Sequence, residues 1–287
     1  MFFGKTLYQR IRTRAEKGEK SILLVPEQFT SSTEGRIYRE LGDALSGMVE
    51  SFSFTSLAEK ILSTEGGAAV QTLSDAGRAV LVRRALEELQ DNVHYYHRHR
   101  RSAAFCQMAA QTIDELKSAG LSGQQLAQLA GACGAESGKL SELALIFQGY
   151  ETLLARSGMD PSDRLELAGA RLEEALARHS LPEFLRDRAV FIDEFDTFNA
   201  PKKRLLGAML AALPSVTVAL CDDGAPLLPG DLSLFSGAKQ VAAQLRQLAR
   251  KNGAEVAVPQ LLRKDLRHRN APGLAAVAEL LETGSCT

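Results

Sequence analysis

With 287 residues, 45% of them apolar, the chain can build one large or two ordinary domains around a substantial core. Lys and Arg number 34 against 35 Asp and Glu, and a formal net charge of −1 excludes a global electrostatic pull toward nucleic acid, so any polyanion contact must be local. Cys106, Cys133, Cys221 and Cys286 form no CxxC pair and have no His at ligand spacing, which speaks against a zinc site or a disulfide framework. Cytoplasmic thiols are then the default. No apolar run approaches the roughly 20 residues of a membrane span, and Met1-Phe2-Phe3 is no signal peptide, so the expected location is the cytoplasm.

Gly4-Lys5-Thr6 has the form of the tail of a phosphate-binding loop, GxxxxGK[ST], in which Lys reaches phosphates and the hydroxyl binds Mg²⁺. Three residues alone are a weak signal, strengthened by the helical pattern of Leu7 to Arg12 that follows. Ile22-Leu23-Leu24-Val25 stops at Pro26, as a buried strand ending at a loop does, and Thr33 to Leu41 follows as a helix stopped by Gly42. Met48 to Ser51 is a weaker strand, and Leu57, Ala58, Ile61 and Leu62 mark a helix face over Ser56 to Leu62. From Leu73 to about His179 the pattern is helical, punctuated by Gly120, Gly131, Gly134 and Gly138. Asp160-Pro161 starts a helix expected to run to Ala177, with Asp160 as cap, proline at the first position and Asp163 complementing the dipole.

Ala189-Val190-Phe191-Ile192 then runs straight into Asp193-Glu194. An apolar run too short for a helix and tipped by carboxylates reads as a buried parallel strand of the Walker B kind. The first acid helps hold Mg²⁺ and the second polarises a water. A core strand ending in a solvated acidic loop is the plainer alternative. Asn199-Ala200-Pro201 caps a helix to Leu213, and Val216 to Leu220 is a further strand that also ends in acids, Asp222 and Asp223. Gly237 to Asn252 is an amphipathic helix with Val241, Leu245, Leu248 and Ala249 on one face, and a short helix is expected near Leu274 to Leu281. Strand-helix units from both ends of the chain thus frame a helical excursion, which predicts an α/β domain built on a right-handed parallel sheet.

Taken in order, Gly4-Lys5-Thr6, Leu24-Val25-Pro26-Glu27-Gln28-Phe29-Thr30, Val49 to Ala58, Ile192 to Asn199 and Val216 to Asp223 resemble the first motor domain of superfamily 1 helicases. With Leu73 to Arg78 and Asp160 to Leu165, they look most like the B subunits of the bacterial AddAB helicase-nucleases. The resemblance covers essentially the whole chain. It implies a RecA-like P-loop parallel sheet over 1–66 and 183–287, flanked by helices, and an all-helical insertion subdomain over 67–182. It also implies a subunit that works on broken DNA ends in recombinational repair beside an A subunit, with no membrane partner. ATP and Mg²⁺ are that family's cofactors, and its nuclease domain and iron-sulfur cluster lie beyond residue 287.

Residue by residue, the resemblance assigns Gly4, Lys5 and Thr6 to nucleotide, Asp193 with Thr6 to Mg²⁺, Glu194 to the second Walker B position and Asp222 to the third motif. Cys221-Asp222-Asp223-Gly224 departs from the usual Gly-Asp of that motif, and only Met1 to Phe3 precede Gly4. Weak or absent nucleotide binding is therefore expected, and catalysis by this stretch alone is not expected. In related motors the loops after the second and third strands touch single-stranded DNA, which nominates Gln28, Phe29, Thr30, Ser51, Phe52 and Ser53; core packing is the competing role for the phenylalanines.

Separately, His94-Tyr95-Tyr96-His97-Arg98-His99-Arg100-Arg101 is the densest basic and aromatic run of the chain. Arg98, Arg100 and Arg101 could grip a phosphate backbone while Tyr95 or Tyr96 stacks on a base; the plainer reading is a solvated helix end or loop. A scaffold that docks a partner subunit without touching DNA or nucleotide fits the balanced charge as well.

Overall fold

The computed structural model describes residues 3–134, 137–261, 273–274, 276–277 and 280. In chain order the elements are α1 (Phe3–Glu16), β1 (Ser21–Leu24), α2 (Thr30–Leu41), α3 (Asp43–Ser46), β2 (Val49–Phe52), α4 (Phe54–Glu65), α5 (Asp75–Glu88), α6 (Ala103–Ser118), α7 (Gly123–Ala130), α8 (Ser137–Ser157), α9 (Pro161–Ala177), β3 (Ala189–Ile192), α10 (Ala200–Ala212), β4 (Ser215–Val218) and α11 (Ser236–Lys251). The helix expected near Leu274 to Leu281 lies largely outside the described residues.

The chain divides into two compact units. One comprises 1–57, 175–198 and 206–287, the other 58–174 and 199–205. In the first, four parallel strands pair in the order β2-β1-β3-β4. Leu24 stands opposite Phe52 on one side and Ile192 on the other, and Ile192 stands opposite Val218, so the four carboxyl ends are level. The inner strands β1 and β3 are buried at every residue, whereas β2 at one edge is buried only at Val49 and β4 at the other at no residue. This is why the inner pair reads as unbroken apolar runs and the edge pair as mixed ones. The ladder also fixes the strand ends, which composition does not. Val25 still donates to the Phe52 carbonyl at 3.0 Å and Ala219 to that of Ile192 at 2.9 Å. The core on one side of the sheet joins Leu7, Tyr8 and Ile11 of α1 to Leu23, Ile37, Val49 and Phe191.

The second unit is helical. Val82, Leu86, Cys106, Ile113, Leu126, Ile146, Phe147 and Tyr150 pack into one core. Ser74 caps α5 by accepting the Gly77 amide at 3.2 Å, at the helix start expected there. α9 spans the expected residues, but its cap works differently: the Asp160 carboxylate turns inward to the Tyr150 hydroxyl at 2.6 Å and Lys117 Nζ at 2.9 Å. Asp163 accepts from the same Lys117 at 2.7 Å. Burial pushes up the Tyr150 hydroxyl pKa, and the bond to Asp160 pushes it further. Burial works against the charge on Lys117, yet the two aspartates hold it above its ordinary value. Nearby, the guanidinium of Arg164 pairs with Glu59 and donates to the Val70 carbonyl.

Candidate functional site

Level strand ends place one loop after another along a single edge of the sheet, where open parallel sheets bind ligands. Gln28, Phe29 and Thr30 follow β1, Ser51 and Phe52 close β2, Ser53 follows it, Asp193 and Glu194 follow β3, and Asp222 follows β4. Gln28 is exposed, while Phe29, Thr30, Ser51 and Phe52 are half-buried. Phe29 packs on the core beside α1, and the Phe52 ring lies 6.5 Å from that of Phe184. Thr30 donates its hydroxyl to the Glu27 carbonyl at 2.7 Å. Ser53 is buried and its Oγ accepts the Ser56 amide at 3.1 Å, so it serves as the cap of α4.

The acid pair is the most constrained part of this edge. Asp193 is 7% exposed, and its Oδ1 accepts the backbone N–H of Glu194 at 3.0 Å. Glu194 has φ +64°, a left-handed conformation that costs a non-glycine residue on the order of 1–3 kcal/mol and concentrates at functional sites. Arg36 of α2 lies 3.8 Å from the Glu194 carboxylate and 4.8 Å from the centre of the Tyr8 ring. Burial pushes Tyr8 up to about 12; Arg36 opposes the shift, while Asp193, Glu40 and Glu194 add to it. Beneath the loop, Phe54 meets Phe195 edge-on at 5.3 Å and Phe198 at 6.1 Å.

Burial first, and the charge of Glu194 second, raise the pKa of Asp193 above the ordinary carboxylate value. A carboxyl raised in this way stabilises the fold below its unfolded value of 3.8, and that contribution is lost as pH rises through the folded value. Asp193→Asn is therefore expected to melt above the parent chain at pH 7, the gap closing as pH is lowered toward 3.8. Thermal melts across that range check it; a variant melting below the parent at pH 7 would show that a partner favours the charged form.

Gly4, Lys5 and Thr6 lie within the first two turns of α1. Thr6 borders an open groove of about 500 Å³ along the free edge of β4, with Gln9, Arg10, Thr13, Arg14, Phe191, Ser215, Thr217 and Gln260; Asp193 does not border it. Among the described residues no three His, Cys, Asp or Glu side chains converge on a metal position. Arg36 already places a positive charge 3.8 Å from the Glu194 carboxylate. That charge competes with a magnesium ion for the acid pair.

After β4 the acids form local turns. Asp222 accepts the Gly224 amide at 3.1 Å and Asp223 that of Ala225 at 2.8 Å, while Lys239 lies 3.1 Å from Asp223. In the helical unit, the basic run forms an exposed turn with a short 3₁₀ segment at His97–His99 between α5 and α6.

Comparison with known proteins decides the family. The family model described as ADDB, N-terminal, matches residues 4–278. The chain belongs to this family. It is 34% identical over 271 residues to the B subunit of the ATP-dependent helicase/deoxyribonuclease of Desulforudis audaxviator, covering 91% of this chain and 22% of that protein. Against the protein of the same name from Symbiobacterium thermophilum it is 32% identical, covering 93% of this chain and 23% of the other. Against that of Clostridium perfringens strain 13 the figures are 29%, 87% and 21%. The chain spans about a fifth of the length of the curated relatives it matches.

Three residues of these sites escaped the sequence. Tyr8 and Arg36 carry no local signal, because their partners are distant in sequence. Glu142, whose carboxylate accepts the His94, Tyr95 and Tyr96 amides beneath the basic turn, had one: it lies four residues before Ile146 and eight before Tyr150, on the buried face of α8.

Proposed function

We propose that this chain is the amino-terminal, DNA-handling part of a helicase-deoxyribonuclease B subunit that processes double-strand ends in recombinational repair beside an A subunit, without catalysing on its own. The observation that carries this reading is the family match over residues 4–278. The level strand ends support it, because they line the Gln28 to Thr30 and Ser51 to Ser53 loops along one edge of a parallel sheet. On this reading the sheet is a RecA-like core whose acid pair has become structural, with Arg36 in place of a metal, and nucleotide is held weakly or not at all. The basic turn supplies phosphate contacts, since Arg98 and Arg101 are exposed and Arg100 half-exposed, and among the described residues no carboxylate pairs with them.

The test is fluorescence anisotropy of a labelled duplex with a single-stranded tail, titrated with the chain at two salt concentrations, with and without Mg-ATP. Salt-sensitive binding is expected, unchanged by Mg-ATP. Replacing Arg98, Arg100 and Arg101 together by Ala is expected to reduce the slope of log K against log salt by about 2, from roughly 0.7 per single-strand phosphate released. Absence of binding at low salt would defeat the DNA reading and leave a scaffold for the partner subunit. Tighter DNA binding with Mg-ATP would defeat the assignment of the acid pair.

A further inference from the structure

Within the helical unit, the turn that carries the basic run is held from beneath by a buried carboxylate. Glu142 of α8, only 6% exposed, accepts the amide of His94 at 2.7 Å, that of Tyr95 at 3.0 and 2.9 Å, and that of Tyr96 at 3.2 Å. Three successive N–H groups converging on one anion form a nest, and they solvate a charge that would otherwise be costly to bury. The backbone of 94–96 is thereby fixed from below, and Val93 is buried just ahead of it.

This anchoring gives the two adjacent tyrosines different roles. Tyr96 stacks on Phe105 at 5.4 Å, and the His99 ring packs on the same phenylalanine at 5.5 Å, so Tyr96 belongs to the support. Tyr95 faces outward, 58% exposed. Its ring edge lies against Gly138 at the start of α8, where an added Cβ would come within 2.8 Å of Cε2. The tyrosine is thus held on a rigid frame with an open face, amid exposed His94, His97, Arg98 and Arg101. An aromatic ring offered to solvent within a cationic turn matches the two components of single-strand binding, a stacking surface and phosphate neutralisation.

We propose that Tyr95 is a base-stacking site for single-stranded nucleic acid, with the neighbouring arginines on the flanking phosphates and Glu142 as the positioning residue that presents the ring. This deepens the DNA-handling reading and rests on it. Duplex is the poorer ligand because its bases are already stacked. Gly138 is part of the site, since any side chain there would displace the ring.

The test measures anisotropy of a labelled oligothymidylate, an abasic oligomer of the same length and charge, and a blunt duplex, against the chain and its variants. Tyr95→Ala is expected to weaken oligothymidylate binding about 5- to 150-fold, the range of one lost base stack, with the salt slope unchanged. Tyr95→Phe is expected to restore affinity. The abasic oligomer should bind the parent chain as weakly as oligothymidylate binds Tyr95→Ala, and the duplex should not distinguish Tyr95→Ala from the parent. Glu142→Gln is expected to follow Tyr95→Ala in affinity while the salt slope holds. The chain has 5 tyrosines and no tryptophan, so quenching of tyrosine emission by the oligomer reports stacking directly, and Tyr95→Phe should lower the quenching amplitude without loss of binding. If Tyr95→Ala binds as the parent does while the triple arginine variant is weakened, the stacking site is wrong and DNA contact stands. If the parent binds no oligomer at low salt, both are wrong.

Discussion

Replacing Asp160 by Ala is expected to destabilise the helical unit by about 3–5 kcal/mol, the cost of breaking a buried ion pair from one side. Asp160 is 1% exposed and accepts from both the Tyr150 hydroxyl and Lys117. Its removal leaves Lys117 with Asp163 alone, whose side chain is 31% exposed, and leaves the buried hydroxyl without its acceptor. Lys117→Met should be costly as well, because it leaves the buried Asp160 carboxylate with the Tyr150 hydroxyl as its remaining partner. Urea denaturation followed by circular dichroism measures both. An Asp160→Ala loss below about 1 kcal/mol would mean that the cluster is solvated and its bonds are interchangeable with water. The cluster's pH dependence lies on the alkaline side. Lys117 is raised in the folded state, so its contribution is complete below its unfolded value of 10.5 and is lost as pH rises through the folded value.

The second large effect is expected at the other unit's acid loop, where Phe54→Ala should cost about 3–5 kcal/mol. Phe54 is 2% exposed and forms the floor on which Phe195 and Phe198 sit, themselves stacked at 5.4 Å. As the first residue of α4, it can become Ala without loss of helix propensity, so the cost measures the cavity. Because Glu194 holds a strained φ only while its surroundings enforce it, hydrogen exchange at 193–198 should rise more than elsewhere in the sheet. Phe29→Ala, at a half-buried position, should cost less. Equal losses for the two variants, or unchanged exchange at the acid loop, would remove Phe54 from this supporting role.

Much of this architecture was legible in the residues. Runs such as Ile22 to Val25 and Ala189 to Ile192 could only be inner strands, and α9 kept both expected ends because Asp160-Pro161 and the helical pattern after it are local signals. The strand ends were harder to place. β1, β2 and β4 each start one residue from the expected position, because pairing with the neighbouring strand, rather than composition, fixes where the ladder begins. At Ser53 the residue type suits a phosphate contact or a helix cap, and the hydroxyl accepts the Ser56 amide as the cap of α4.

The sequence by itself determined the parallel α/β plan, the helical excursion, the family, and the clustering of acids and bases at strand ends and in one turn. These follow from periodicity, capping and short-range order, which each segment carries within itself. Only the tertiary structure decided what those charges meet. Arg36 is placed against Glu194 by the packing of α2, Asp160 turns from its own helix to Tyr150, and Glu142 reaches 48 residues back to the His94 amide, so that Tyr95 faces solvent and Tyr96 does not. Burial determines whether a carboxylate is solvated, paired or nested, and burial is a property of the packed chain.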